Sequence, residues 1–283
     1  PNTYYLGMSN LGLQTIYRAL NACPDLVCER AFLPDPADLA EHERLGAPIC
    51  SLESQRPLAE FDCLAFSASY ENDYLNLLRI LRLSGIPLRA EERGPGDPLV
   101  SLGGICAWSN PEPLAPFLDW AFLGEGEEMG PEVFRRWRAT REAGGAPPRQ
   151  AFLRDLPEVE GLYLPGRYAV REHPDGTVAA VLPLAGAPLP VRKRLVRQLD
   201  EVRTVTAVRT PDTEFGDMGL IEVGRGCGRG CRFCLEGEIY RPVRHRHLEA
   251  ILAAAEALAA GGPRLGLVGA CLSDYPWIGE LLA

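Results

Sequence analysis

The chain of 283 residues is long enough for one large domain or two ordinary ones, and its 46% hydrophobic and 24% charged residues are typical of a globular protein. Its formal net charge of −9 disfavours a surface built to coat nucleic acid, since phosphate binding needs an extended basic surface. No run approaches the ~18 uncharged apolar residues of a membrane-spanning helix, and no signal segment opens the chain, so we expect a cytoplasmic protein without a membrane partner.

Residues 1–142 alternate between strand and helix patterns. Apolar residues at helical spacing predict helices over Leu11–Asn21, Glu71–Ser84 and Gly130–Arg141. Short apolar runs predict strands, which read in chain order "LVCERAFLP", "DCLAFSAS", "PLVSLGG" and "DWAFLGEGE". Alternation of this kind predicts a parallel sheet covered by helices, whose ligands bind beyond the carboxyl ends of the strands.

The remaining residues divide into two predicted regions. Residues 143–215 are predicted as a linker region with a β-hairpin, because "EAGGAPPRQ" has linker composition and an alternating segment turns at Pro174-Asp175-Gly176. In residues 216–283, "GLIEVG" and "LGLVGA" predict strands, His247–Ala260 a helix between them, and Trp277–Ala283 the start of another. One and a half βα units are only the beginning of a (β/α) barrel, which takes ~250 residues when it has eight units.

Three of the nine cysteines are clustered. Six are scattered singly and are interpreted as small buried apolar residues: Cys23, Cys28, Cys50, Cys63, Cys106 and Cys271. Cys227, Cys231 and Cys234 have the spacing C-x3-C-x2-C in "GLIEVGRGCGRGCRFCLEG". Three thiolates do not fill the four-ligand set of a structural zinc. They can hold three irons of a [4Fe–4S] cluster and leave the fourth iron open.

The residues around these cysteines suit such a cluster. Glycines 224, 226, 228 and 230 allow the loop to curl closely, and arginines 225, 229 and 232 are suited to offset the charge of thiolate ligands. Phe233 is expected to shield one side from water. A three-cysteine zinc site completed by His245 or His247 is the alternative, as is a cluster of free thiols.

With these residues in place, "IEVGRGCGRGCRFC" resembles the cluster-binding loop of the radical S-adenosylmethionine (radical SAM) superfamily. The resemblance implies that the three cysteines bind [4Fe–4S], that SAM chelates the fourth iron, and that reductive cleavage of SAM gives a 5'-deoxyadenosyl radical. It implies contacts to SAM from Phe233 and, in "GACLSDYP" after the second strand, from Ser273 and Asp274, where the superfamily commonly has a "GGE"-like motif. An N-cap of the following helix explains Ser273 or Asp274 equally well.

The N-terminal region resembles the cobalamin-binding class with a flavodoxin-like sheet. The corresponding loop positions are Ser9 and Gly12 in "GMSNLG", Ser67 in "SAS", and the pair Gly103 and Gly104. Serine at position 9 stands where that class has its cobalt-ligating histidine, and serine cannot replace imidazole as a lower ligand. Cobalamin is therefore either held without a protein ligand or not held.

The order of the segments "PNTYYLGMSNLGLQ", "NPEPLAPFLDWAFLGEGEE" and "TPDTEFGDMGLIEV" resembles a little-characterised bacterial family of radical SAM proteins with a B12-domain-like N-terminal region. The resemblance implies that the chain is a piece of a parent about twice as long. It divides the chain into a B12-binding-like αβ domain over 1–142, the linker over 143–215, and a truncated radical SAM domain over 216–283.

Three functions follow as hypotheses. The first is a radical SAM enzyme, or its N-terminal part, that serves methylation, methylthiolation or another C–H activation of an RNA or a small molecule, with an electron donor such as flavodoxin or ferredoxin. The second is a non-enzymatic Fe–S redox or sensor protein, for which Cys271 is the candidate fourth thiolate. The third is a zinc-stabilised nucleic-acid-binding module.

Overall fold

The computed structural model describes residues 1–143, 148–156, 159–260, 262 and 264–283. The helices are α1 Tyr4–Met8, α2 Leu11–Asn21, α3 Pro36–Leu45, α4 Asp73–Leu83, α5 Ile105–Ser109, α6 Gly126–Ala143, α7 Pro148–Asp155, α8 Glu236–Ile239, α9 Leu248–Ala259 and α10 Ile278–Leu281. The strands are β1 Cys63–Ser67, β2 Leu99–Gly103, β3 Trp120–Phe122, β4 Leu162–Tyr163, β5 Tyr168–Glu172, β6 Val178–Pro183, β7 Gly219–Glu222, β8 Gly224–Arg225, β9 Arg244–His245 and β10 Leu265–Val268. Within the described ranges, none of the helices combines the length and apolar character that a bilayer crossing requires.

The chain folds as two compact units. Unit 1 consists of Pro1–Asn2 and Leu20–Leu195, and unit 2 consists of Thr3–Ala19 and Val196–Ala283. A short N-terminal segment therefore belongs to the same unit as the C-terminal residues. The division at residues 142 and 215 that the residue patterns predict stays a prediction.

Unit 1 is built on a sheet with the strand order β1-β2-β3-β4, in which the first three strands are parallel and β4 is antiparallel to β3. Alternate residues of a strand point to opposite faces. Val100 and Leu102 accordingly pack with α4, whereas Leu99 and Trp120 pack with α6 and α7. Helices thus cover both faces of the sheet, which is the flavodoxin-like α/β arrangement that the sequence predicts.

Unit 2 is built on the parallel pair β7 and β10, which are joined by a connection that contains α9. The other edge of β7 is covered by the segment 204–206, which runs antiparallel to it through a bridge between Val205 and Ile221. Val205, Ile221 and Ile251 belong to the buried core of this unit. The pair of strands with its helix is the beginning of the predicted partial barrel.

The predicted elements are largely confirmed. The helix over Leu11–Asn21 has the predicted bounds, and β5 and β6 form the predicted hairpin. The strand predicted for "LVCERAFLP" (26–34) is wrong, because its backbone bonds to scattered partners instead of a strand: the Cys28 N–H donates to the Asn21 side chain and the Leu33 N–H to the Asn2 carbonyl. Residues 144–147 of the predicted linker lie outside the described residues, and α7 begins directly after them.

A buried ionic group fixes the amino-terminal side of β3. One oxygen of Asp119 accepts hydrogen bonds from Arg93 at 2.7 Å and from the Val100 N–H at 2.8 Å, and the other accepts one from Arg149. The Asp119 and Arg93 side chains are 2% and 0% exposed. Because charges removed from water need partners, each member depends on the others.

We predict that Asp119→Ala lowers the free energy of unfolding by about 3–5 kcal/mol, because it leaves two buried guanidinium groups without their carboxylate. Asp62→Ala is the matched control, since the pair of Asp62 with Arg141 is exposed and should contribute at most about 1 kcal/mol. Urea unfolding followed by tryptophan fluorescence measures both. Equal losses in the two variants would contradict the role of Asp119.

Candidate functional site

The three clustered cysteines lie on a loop that leaves the carboxyl end of β7. After Val223 the chain forms β8, turns through residues 226–243, and returns as β9. Strands β8 and β9 pair antiparallel, with Gly224 opposite His245 and Arg225 opposite Arg244. The loop, called the cysteine loop below, is therefore closed at its neck by a short ladder, at the edge where parallel sheets bind ligands.

Two glycines allow this neck to close. A Cβ on Gly224 would lie 2.7 Å from the Arg244 carbonyl oxygen. A Cβ on Gly226, whose φ is +82°, would lie 2.6 Å from the Tyr240 carbonyl oxygen. Both distances are shorter than any side chain tolerates, so the strand and the returning chain approach this closely only because these residues lack side chains.

The cysteines themselves are accessible. Cys227 and Cys234 are half-buried, and Cys231 is exposed. In the part of the chain that the structure describes, no three or more His, Cys, Asp or Glu side chains are arranged so that they hold a metal ion. The structure thus brings the three thiols onto one closed loop but not into a finished ligand set, in line with sites whose final geometry is set by metal binding.

The donor set nevertheless fits an iron–sulfur cluster. Thiolates are soft ligands that prefer iron–sulfur or zinc centres over hard cations. A Cβ on Gly237 would lie 3.9 Å from the Cys234 sulfur, an ordinary contact distance, so the loop backbone passes close to this thiol. Three accessible thiols on one loop match a cluster with one open iron.

A carboxylate that is only 13% exposed connects the two ends of the neck. One oxygen of Glu222 accepts a hydrogen bond from Arg225 Nε at 2.8 Å, and the other accepts one from Arg246 at 2.9 Å. Arg225 also donates to the Thr204 hydroxyl at 3.1 Å, and Arg246 to the Leu199 carbonyl. The guanidinium of Arg225 therefore binds Glu222. From the sequence we expected it to offset the charge of the thiolate ligands.

Asp274 joins the cysteine loop to the turn that follows β10. Arg229, between Cys227 and Cys231, donates from Nε to Asp274 at 2.8 Å and makes a second hydrogen bond to the other carboxylate oxygen. This pairing lowers the pKa of Asp274 below its usual value. The Ser273 hydroxyl lies 3.4 Å from the Cys271 sulfur in the same turn. The structure thus brings Asp274 to the cysteine loop, and the contacts of Ser273 and Asp274 with SAM stay predictions.

Phe233 does not cover the cysteines in this structure. Its side chain is 91% exposed, so it packs against little of the described chain. The shielding that we expected from this residue is not formed here, and its contact with SAM stays a prediction.

Of the two histidines near the loop, His247 is engaged by a hydrogen bond elsewhere, whereas the buried Nδ1 of His245 has no hydrogen-bond partner among the residues that the structure describes. His247 Nδ1 hydrogen-bonds to Asp200, which raises the pKa of the imidazole above its usual value. The His245 ring packs edge-on against Tyr275 with 5.8 Å between ring centroids. Within the described residues neither histidine belongs to a group that could hold a metal, and the same holds for the three cysteines; the zinc alternative stays a prediction.

The positions that resemble a cobalamin site fall in different units. Ser67 lies opposite Gly103 at the carboxyl ends of β1 and β2 in unit 1, and a Cβ on Gly104 would lie 2.6 Å from the Ala68 carbonyl oxygen. Ser9 and Gly12 belong to unit 2. The Ser9 hydroxyl donates to the Tyr5 carbonyl and accepts from the Glu214 N–H. With Ser9 committed to these bonds, the described residues at these positions do not fit a histidine-ligated cobalamin.

Glu222 is the residue of this site that sequence reasoning missed. The signal was present, because Glu222 is the charged residue inside the apolar run "GLIEVG". A carboxylate in a buried strand needs a cationic partner. The sequence does not say which of the nearby arginines provides it.

Comparison with known proteins adds three findings. A family model described as "Radical SAM proteins, N-terminal" matches residues 12–165. An uncharacterised protein of Methanocaldococcus jannaschii is 29% identical over 248 residues, which cover 86% of this chain and 46% of that protein. TsrM from Kitasatospora setae, a radical S-adenosylmethionine methyltransferase solved with its tryptophan substrate and a SAM analogue, is 16% identical with a TM-score of 0.54, over 97% of this chain and 47% of that one. The chain thus spans about half the length of both proteins, and the likeness to TsrM is one of fold.

The His247–Asp200 pair predicts a pH dependence. The pKa of His247 is raised in the folded state, so the pair stabilises the protein below the unfolded-state pKa of about 6.5. This stabilisation is lost as the pH rises through the higher folded-state pKa. NMR titration should place the pKa of His247 above about 6.5, and Asp200→Asn should return it toward that value. His173→Gln, which changes an exposed histidine near the β5–β6 turn, should leave it unchanged; a His247 pKa at or below its usual value would contradict the pairing.

Proposed function

We propose that the chain, which belongs to the family described as "Radical SAM proteins, N-terminal", is a radical SAM enzyme or the N-terminal part of one. The family model matches more than half of the chain. The proposed ligands of its [4Fe–4S] cluster are Cys227, Cys231 and Cys234. The observation that carries the proposal is the closed cysteine loop at the carboxyl end of β7, which meets the turn after β10 through Arg229 and Asp274.

The three proposed ligands would bind three of the four irons of the cluster. The thiolates of Cys227, Cys231 and Cys234 would each hold one iron, and the fourth iron would stay open to the amine and carboxylate of SAM. When bound, such a cluster supplies one electron for the cleavage of SAM, which opens C–H bonds of a substrate to reaction. The β8–β9 ladder and the glycines of the neck hold the ends of the loop in place meanwhile.

Asp274 and Ser273 would bind the amine of SAM. The pKa of Asp274 is lowered by Arg229, so its carboxylate is ionised at neutral pH and can accept hydrogen bonds from an ammonium group. The Ser273 hydroxyl adds a second acceptor in the same turn. Arg229 gives two parallel hydrogen bonds to Asp274 and so holds this carboxylate beside the cysteine loop.

Methyl transfer is the reaction outcome that we propose first. TsrM, whose fold the chain shares, is a methyltransferase, which favours methyl transfer over methylthiolation, and the substrate that we propose is an RNA or a small molecule. Flavodoxin or ferredoxin would provide the electron. No step is assigned to cobalamin, because Ser9 provides no lower ligand.

One observation favours a second function. The pKa of the Arg229 guanidinium, on the cysteine loop, is raised first by Asp274 and then by Cys271, and the Cys271 sulfur lies 3.4 Å from the hydroxyl of Ser273, the neighbour of Asp274. A fourth thiolate from Cys271 would close the cluster and make the protein a redox or sensor protein without SAM chemistry. Cys271→Ala separates the two: the enzyme proposal expects SAM binding to persist, and the sensor proposal expects loss of the cluster.

We predict that anaerobic reconstitution of the intact protein with iron and sulfide yields about four irons per chain with thiolate-to-iron charge-transfer absorption. Cys234→Ala should abolish both signals, whereas Cys50→Ala, outside the loop, should leave them intact. Zinc without iron in the anaerobically purified wild type would contradict the proposal, as would unchanged iron in the Cys234 variant.

We further predict that Asp274→Asn weakens SAM binding to the reconstituted protein by about 10- to 100-fold, the range for loss of a hydrogen bond to a charged group. Iron content should not change. Asp217→Asn, which alters an exposed carboxylate of the same unit, is the control. Equilibrium dialysis with labelled SAM measures both, and equal affinity in the Asp274 variant and the wild type would remove this residue from the site.

A further inference from the structure

The two ends of the cysteine loop are tied to a single carboxylate. Arg225, in the strand that enters the loop, and Arg246, directly after the strand that leaves it, each bind a different oxygen of Glu222, at 2.8 and 2.9 Å. Glu222 is the last residue of β7. The carboxylate therefore joins the sheet to both arms of the neck. We call these three residues the neck clasp.

The neck clasp is shielded from water. The exposed fractions of its side chains are 13% for Glu222, 8% for Arg225 and 7% for Arg246. Charge-assisted hydrogen bonds are strong in such surroundings, because little water competes for the donors and acceptors. Arginine is needed on both arms, since a lysine ammonium cannot bind Glu222 and a second acceptor such as Thr204 in the same planar geometry.

The backbone ladder of the neck is too short to hold the loop by itself. It consists of two residue pairs, Gly224 with His245 and Arg225 with Arg244. A two-stranded ladder is marginally stable in water even when it is longer. Both glycines of the neck also lack side chains that could pack across it. The clasp supplies the cross-connection that the ladder lacks.

We propose that Glu222 is a positioning residue that fixes the separation and direction of the two arms of the cysteine loop, and so preorganises the loop for its iron–sulfur cluster. The inference rests on the proposed function for what the loop holds. Holding the ends of a loop together removes conformations in which its ligands are far apart, and this favours cluster retention. Glu222 acts on the cysteines through the neck, by way of Arg225 and Arg246.

The first test needs no metal. Glu222→Gln keeps the size of the side chain, but its amide can accept from one arginine only. In the metal-free intact protein, hydrogen exchange at the amides of β8 and β9 should rise at least about tenfold, the ratio that corresponds to one charged hydrogen bond. Exchange in β7 and β10 should stay unchanged. Glu238→Gln is the matched control, because its pair with Arg241 is exposed and lies within the same loop.

The second test uses the reconstituted protein. Iron release to a chelator should be at least about tenfold faster in Glu222→Gln than in Glu238→Gln, and Glu222→Asp, which keeps the charge, should recover part of the difference. A merely structural role would lower the unfolding temperature of the metal-free protein without this partial recovery of iron retention. Unchanged exchange at the neck, or equal iron release in the two glutamine variants, would overturn the proposal.

The outcomes separate the two proposals. A wild type that takes up no iron would contradict the proposed function, while the exchange comparison still decides on the clasp. Glu222→Gln is expected to fold, since glutamine keeps the size of the side chain and one of its two hydrogen bonds to arginine. If it does not fold, Glu222→Asp replaces it in the exchange comparison, because the shorter carboxylate cannot reach both arginines, and unchanged exchange at Gly224 and Arg225 in that variant would overturn the clasp.

Discussion

Parallel pairing of β7 with β10 is the constraint on which the site depends. Parallel strands end at the same edge of a sheet, so the cysteine loop after β7 and the Ser273–Asp274 turn after β10 meet although they are about forty residues apart in the chain. The ion pair between Arg229 and Asp274 is the direct result. In unit 1 the same rule places Ser67 opposite Gly103 at the ends of β1 and β2.

Each unit contains a carboxylate with little exposure to water that is shared by two arginines. Asp119, directly before β3, is shared by Arg93 and Arg149, and Glu222, at the end of β7, is shared by Arg225 and Arg246. In both cases the two oxygens of one carboxylate take separate arginines, which leaves neither oxygen without a donor. The two groups differ in position. Asp119 stabilises the amino-terminal side of its sheet, whereas Glu222 lies at the carboxyl end, directly beside the candidate site.

The family match and the candidate site lie in different parts of the chain. The family match covers residues 12–165, whereas the cysteine loop lies beyond residue 220. The chain spans about half the length of the proteins that it resembles. Substrate and reaction outcome therefore stay proposals, and the described residues bear mainly on how a cluster and SAM would be held.

The sequence by itself determined the elements and the chemistry of the donor set. Helical and strand periodicities located α2, α4, β1, β2 and the hairpin, and the cysteine spacing, which needs no tertiary contact to be read, predicted the loop. The strand predicted at residues 26–34 failed because strand formation needs a partner edge, and the backbone there binds Asn2 and Asn21 instead. Only the tertiary structure decided which charged side chains pair: Arg225 binds Glu222, and His247 binds Asp200. It also decided that Ser9 belongs to unit 2. The physical reason is that periodicity reports which face of an element is buried, whereas ion pairing depends on the side chains that distant segments bring within hydrogen-bond distance.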